Sequence, residues 1–161
     1  MDTVYIETSV VSHATAWPSA DPATAMLQSQ AKQWWSEQRS AYRLVTSQFV
    51  LDEAAVGDPD AAARRLEMLL EIPILLPDER VKSIADEIIT RSFMPPKARL
   101  DALHVATAAV GGVEYLLTQN CKHIANARVL PGVYELLEEF GLPRLLICTP
   151  AEFLGDPNDE Q

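Results

Sequence analysis

At 161 residues the chain has the length of one domain, enough to bury a real core. Hydrophobic residues make up 48% and charged residues 22%, an ordinary soluble balance, and no apolar run approaches the ~20 residues of a membrane span. The net charge of −10 argues against simple electrostatic binding of nucleic acid, but not against a nucleic-acid enzyme whose bound cations bring their own positive charge.

Met1-Asp2-Thr3 has no basic stretch and leads straight into an apolar run, so no signal peptide is expected. Thr3 to Ile6 reads as a buried first strand with Glu7 at its end. Trp17 to Pro22 is a proline-punctuated loop, and residues 23–40 read as a helix with Ala25, Leu27, Ala31, Trp34 and Trp35 on its apolar face. Trp34 and Trp35 are neighbours and cannot both face one core; an exposed one would suit an interface. Arg43 to Thr46 is a short strand, and Ser47 caps a helix through Ala55. Gly57-Asp58-Pro59 breaks that helix, and Asp58 starts another to about Glu71. Ile74 to Leu76 is strand-like between two prolines, and Asp78 to Ser92 is an amphipathic helix closed by Pro95-Pro96. The helix from Ala98 to Val110 is apolar nearly all round, so it should be central. Glu114 to Thr118 reads as a strand and His123 to Arg128 as a short helical or looped piece. Gly132 to Phe140 is a helix, Leu145 to Cys148 the last strand, and Thr149 caps a final turn. Residues 1–154 thus form one expected domain, and 155–161 an acidic, flexible tail.

Strands alternating with helices imply an α/β fold with a mainly parallel sheet, whose functional residues gather at the carboxyl ends of strands. Glu7 and Asn120 fall there. Thr8 and Ser9 either donate to Glu7 or cap a helix beside a solvent-facing Glu7. Glu53 follows Phe49 and Val50 at helical spacing, so it lies on or beside an apolar stripe while Asp52 points outward. Such an acid needs a partner, either an arginine or a cation. Asp101 opens the most buried helix, where it can serve the helix terminus. His104, three residues on, either hydrogen-bonds Asp101 or simply packs. Asn120 is either a turn residue or a ligand. If Glu7, Glu53, Asp101 and Asn120 converge, they make an oxygen-rich, net-negative pocket suited to a hard divalent cation. Arg91, Lys97, Arg99 and Lys122 lie close in sequence to Asp101 and Asn120, as a mixed surface or a phosphate-contacting rim. Two cysteines, Cys121 and Cys148, are too few for a disulfide framework, and Cys121-Lys122-His123 lacks zinc-site spacing. Both read as small packing residues in a reducing cytosol.

The order and placement of these residues resemble the PIN-domain family. Tyr5-Ile6-Glu7-Thr8-Ser9-Val10-Val11-Ser12 is similar to its opening motif, and Asp101-Ala102-Leu103-His104-Val105-Ala106-Thr107-Ala108 to its third-acid helix. Leu117-Thr118-Gln119-Asn120-Cys121-Lys122-His123-Ile124 is similar to the last motif of some bacterial members, and the likeness runs from about residue 3 to residue 154. The resemblance implies a three-layer α/β/α sandwich with a mainly parallel sheet of four or five strands. It implies a cytoplasmic metal-dependent endoribonuclease, the VapC-type toxin of a bacterial toxin–antitoxin pair. Glu7, Glu53 and Asp101 would hold one or two Mg²⁺ or Mn²⁺ ions, with Asn120 ligating directly or from behind a ligand. Thr8, Ser9 and Thr118 would position water or phosphate, and Arg91, Lys97, Arg99 and Lys122 the RNA backbone. The implied partners are RNA, a cognate antitoxin and a second copy of the chain, with no membrane. Two positions depart from the family: Glu7 stands where aspartate is usual and reaches about 1.5 Å further, and Asn120 often is aspartate and here adds no charge. The alternatives are a PIN-fold binding protein with weakened catalysis, or a small α/β interaction domain without metal chemistry.

Overall fold

The computed structural model describes residues 1–154; the acidic tail expected over 155–161 lies outside the described residues. Four strands, β1 (Thr3–Ile6), β2 (Arg43–Val45), β3 (Tyr115–Leu117) and β4 (Leu146–Cys148), form one sheet in the order β2-β1-β3-β4. Every pairing is parallel, in the registers Thr3↔Arg43, Val4↔Tyr115 and Tyr115↔Leu146. The expected strand at Ile74 to Leu76 contributes a single bridge, Thr46↔Ile74. Pro73 and Pro77 bracket it, and a proline has no N–H to give a ladder.

Seven α-helices surround the sheet. On one side α1 (Thr8–Thr15) packs with α2 (Pro22–Glu37), α3 (Gln48–Ala54) and α4 (Pro59–Leu69). In the other group α5 (Arg80–Thr90) packs on α6 (Arg99–Val110) and α7 (Leu130–Glu139). Local chemistry sets several boundaries. The side chains of Asp21, Ser47 and Asp58 accept the N–H groups of Thr24, Val50 and Ala61, satisfying first-turn donors that the helix itself leaves open. Gly141, at φ +71°, lets the chain turn out of α7. Helix α1 has no such standard signal, because its N-cap is Glu7 itself and only Val10 and Val11 are buried.

The core runs through β1 and β3 into α6, where Ala102 and His104 to Ala109 are all buried. Trp34 is fully buried, 6.1 Å from the rings of both Tyr42 and Phe153. Trp35 is half-buried under the Arg39 guanidinium, 4.5 Å from its ring centroid. The pair therefore divides, one indole to the core and one to the surface. Cys148 is buried as expected, but Cys121 is exposed. No helix among the described residues is long and apolar enough to cross a membrane.

The topology fixes where a site can form. β1 and β3 are adjacent, yet the connection leaving β1 runs to β2 on one flank and that leaving β3 runs to β4 on the other. The chain diverges there and leaves a crevice at the strand ends. Glu7 leaves β1 into this crevice, and Thr118 to Asn120 leave β3 beside it.

Candidate metal centre

Glu7 enters as the N-cap of α1. Its Oε2 accepts the Ser9 N–H at 3.0 Å, and its Oε1 accepts the hydroxyls of Ser9 and Thr118, the latter at 2.5 Å. The side chain is not the solvent-facing loop of the plainer alternative: Glu7 is 4% exposed. Ser9 Oγ in turn accepts the Gln119 N–H at 2.7 Å, and Thr118 Oγ1 accepts the Asn120 N–H at 3.0 Å. These bonds tie the end of β1 to the end of β3.

Glu53 projects from α3, while Asp52 faces solvent and accepts from Gln48. No arginine meets Glu53. Its Oε1 accepts the Thr8 hydroxyl at 2.6 Å and lies 2.5 Å from His104 Nε2. Burial pushes the Glu53 carboxyl up, but the bonds donated by His104 and Thr8 outweigh it and hold the carboxyl below its usual range. The acid stays ionised and can only accept.

Behind Glu53 the network continues. His104 Nδ1 is 2.8 Å from the Tyr5 hydroxyl, which is 2.6 Å from Ser47 Oγ. Tyr5 and His104 are both fully buried. Burial raises the Tyr5 phenol far above its ordinary value, the Ser47 bond lowers it somewhat, and the charges of Glu7 and Glu53 raise it further.

Asp101 sits in the first turn of α6, one turn before His104. Of the two alternatives for His104, the bond to Asp101 is not made, because His104 reaches across to Glu53 on α3. Asp101 Oδ2 instead lies 3.1 Å from His123 Nδ1. The N–H of His123 donates to Asn120 Oδ1 at 3.0 Å, so the Asn120 oxygen serves as a turn acceptor. One atom each from Glu7, Glu53 and His104 lies within 4.8 Å of the others. Asp101 and Asn120 are outside that tight group and connect to it through His123 and Thr118.

Two of the four basic residues are engaged with acids. Arg91 is paired to Glu87 at 3.1 Å and Glu139 at 2.8 Å, and Arg99 is paired to Asp86. Lys97 and Lys122 are exposed. Two histidines, His104 and His123, were the residues least legible as site components. The one signal for His104 was an imidazole in an otherwise apolar helix, which demands a buried partner.

Thr118 joins the two halves, and this gives a direct stability test. Thr118→Val keeps the shape but deprives Glu7 of a donor and Asn120 N–H of its acceptor. The expected cost is about 1–3 kcal/mol, read as a lower urea midpoint at unchanged m-value. An unchanged midpoint would show that the linkage carries no stability.

The donor set suits a hard divalent cation. A carboxylate has about four acceptor sites. In Glu7 and Glu53, protein donors fill Oε1 twice over, while Oε2 receives one donor in Glu7 and none in Glu53 among the described residues. Two carboxylates with unused acceptor capacity therefore lie side by side. No curated protein matches the sequence significantly. A family model described as "PIN domain" matches residues 4–128, which span β1 to the turn beyond His123 and include every acid of this centre. The chain therefore belongs to the PIN-domain family, whose members are in general nucleases.

Proposed function

We propose that the protein is a divalent-metal-dependent endoribonuclease and the toxin of a two-protein toxin–antitoxin pair. The observation that supports it best is the unused acceptor capacity on Glu7 and Glu53, two ionisable acids whose other oxygens are held rigid by Ser9, Thr118, Thr8 and His104. Glu7, Glu53 and Asp101 would hold one or two Mg²⁺ or Mn²⁺ ions. Asn120, whose oxygen accepts the His123 N–H and keeps a second lone pair, would ligate directly or through a water. Such an ion, when bound, lowers the pKa of a water and neutralises charge on the scissile phosphate. The protein's own part is to fix the carboxylates: Thr8, Ser9 and Thr118 donate into them, so they need little reorganisation on binding. Lys97 and Lys122 are the exposed cations left for the RNA backbone, with Arg91 and Arg99 available only by exchanging their present acids.

The neutral amide of Asn120 also favours the rival reading, a PIN-fold binding protein with weakened catalysis. One anionic ligand fewer would weaken a second metal position most. The implied protein partners are an antitoxin and a second copy in the cytoplasm, and exposed apolar side chains such as Trp17, Leu70 and Leu76 are suited to such contacts.

Metal binding is separable from cleavage. A cation that binds only the folded state at ten times its dissociation constant stabilises it by about 1.4 kcal/mol, or about 3–6 °C in Tm at this size. Millimolar Mn²⁺ is expected to raise the Tm of the wild type by this amount and that of Asp101→Asn much less. Equal shifts in the two proteins would sink the shared metal site. With Mn²⁺, the wild type should cleave single-stranded RNA, and EDTA should stop it.

A further inference from the structure

The buried chain behind Glu53 goes beyond ligand identity. Ser47 Oγ, Tyr5 OH and the His104 ring follow one another at 2.6 and 2.8 Å, and His104 Nε2 ends the chain 2.5 Å from Glu53 Oε1. Ser47 is 2% exposed, Tyr5 and His104 not at all. Four polar groups from β1, the cap of α3, α3 itself and α6 thus form one line whose inner end is buried.

Proton counting gives the line a direction. A carboxylate oxygen only accepts, so His104 meets Glu53 Oε1 through Nε2–H. In the neutral ring Nδ1 is then an acceptor, and the Tyr5 hydroxyl supplies the proton. Tyr5 oxygen is left to accept from the Ser47 hydroxyl, whose oxygen also lies 3.4 Å from the Val50 N–H. Each group has a compatible partner, so each rotamer and the tautomer are mutually fixed. Phe49 packs edge-on against the His104 ring, with centroids 6.4 Å apart.

We infer that His104 is a positioning residue. Held as its Nε2–H tautomer by Tyr5 and Ser47, it anchors Glu53 Oε1 and presents Oε2 to the cation. In this arrangement the imidazole nitrogen near the carboxylates orients a ligand and is not one itself. The role resembles that of outer partners which fix the orientation of ligating groups and whose loss costs about 10–100-fold in metal affinity. The inference rests on the metal-holding role proposed for Glu53, but its first test does not.

That test is the tautomer of His104 in metal-free protein, read by long-range ¹H–¹⁵N NMR at neutral pH. The expected result is protonation at Nε2 alone in the wild type and in Tyr5→Phe, with the bare Nδ1 resonance moved in the variant because it has lost its donor. A ring protonated at Nδ1 alone, or at both nitrogens, would overturn the inference, as would an Nδ1 resonance unmoved by Tyr5→Phe. The second arm is Mn²⁺ affinity by calorimetry on variants shown to be folded by circular dichroism. His104→Ala should bind about 10–100-fold more weakly, Tyr5→Phe should weaken binding in the same direction, and His104→Gln, whose amide can still donate to Glu53, should recover part of the loss. Wild-type affinity in His104→Ala would overturn the positioning role. A wild type that binds no Mn²⁺ would instead remove the metal reading of the site, and the tautomer result would then decide the hydrogen-bond assignment alone.

Discussion

Glu53→Gln and Asp101→Asn are each expected to lower kcat/KM for metal-dependent RNA cleavage by about a hundredfold or more. Metal ions contribute several kcal/mol to charge stabilisation in such reactions, and about 2.7 kcal/mol is already a hundredfold. Both exchanges keep side-chain shape and remove one negative charge from the centre. Glu53→Gln also replaces an acceptor-only oxygen with an amide, so His104 and Thr8 must re-pair. Asp101→Asn is milder locally, since among the described residues its carboxylate hydrogen-bonds to His123 alone. Both variants should remain folded, because relieving repulsion between neighbouring carboxylates offsets part of the lost hydrogen bonding. The measurement is cleavage of a panel of single-stranded RNAs with Mn²⁺, with circular dichroism on each protein. Cleavage at wild-type rates by both folded variants would rule out these acids as the source of activity. An inert wild type beside a normal Mn²⁺ thermal shift would favour the binding-protein reading.

In cells, expression of the wild-type chain without its antitoxin is expected to arrest growth, and expression of Glu53→Gln or Asp101→Asn is not. An unpartnered endoribonuclease removes transcripts faster than they are replaced, so the effect should track metal chemistry. Inducible expression with growth curves and immunoblots for equal protein level is the test. Arrest by all three folded proteins would point to a cause other than nuclease chemistry. No arrest by any would count against the toxin role while leaving nuclease activity to the assay in solution.

Much of the fold was legible because its signals are local. Three apolar residues and an acid mark β1 and its end, and Ser47 and Asp58 cap helices where their spacing indicated. The all-round burial of α6 followed from its composition. Helix α1 was open as one of two alternatives, and its cap proves to be Glu7 rather than Thr8 or Ser9. The Ile74 segment has strand-like side chains but prolines at both ends, so it makes one bridge.

The site divides along the same line. The sequence by itself determined the parallel α/β frame and the place of Glu7 at the end of its first strand, because strand periodicity and helix spacing act over a few residues. Tertiary structure alone decided what each acid meets. His104 pairs with Glu53 from 51 residues away, although Asp101 is its neighbour on α6. Thr118 reaches Glu7 across 111 residues. Asp101 takes His123, presented by a turn that the Asn120 oxygen holds. Arg91 and Arg99, suited by sequence to hold phosphate, are bound instead to acids of α5 and α7. A hydrogen bond depends on distances of a few tenths of an ångström and on direction. Those are set by how helices from different parts of the chain settle on the sheet, which local periodicity does not encode.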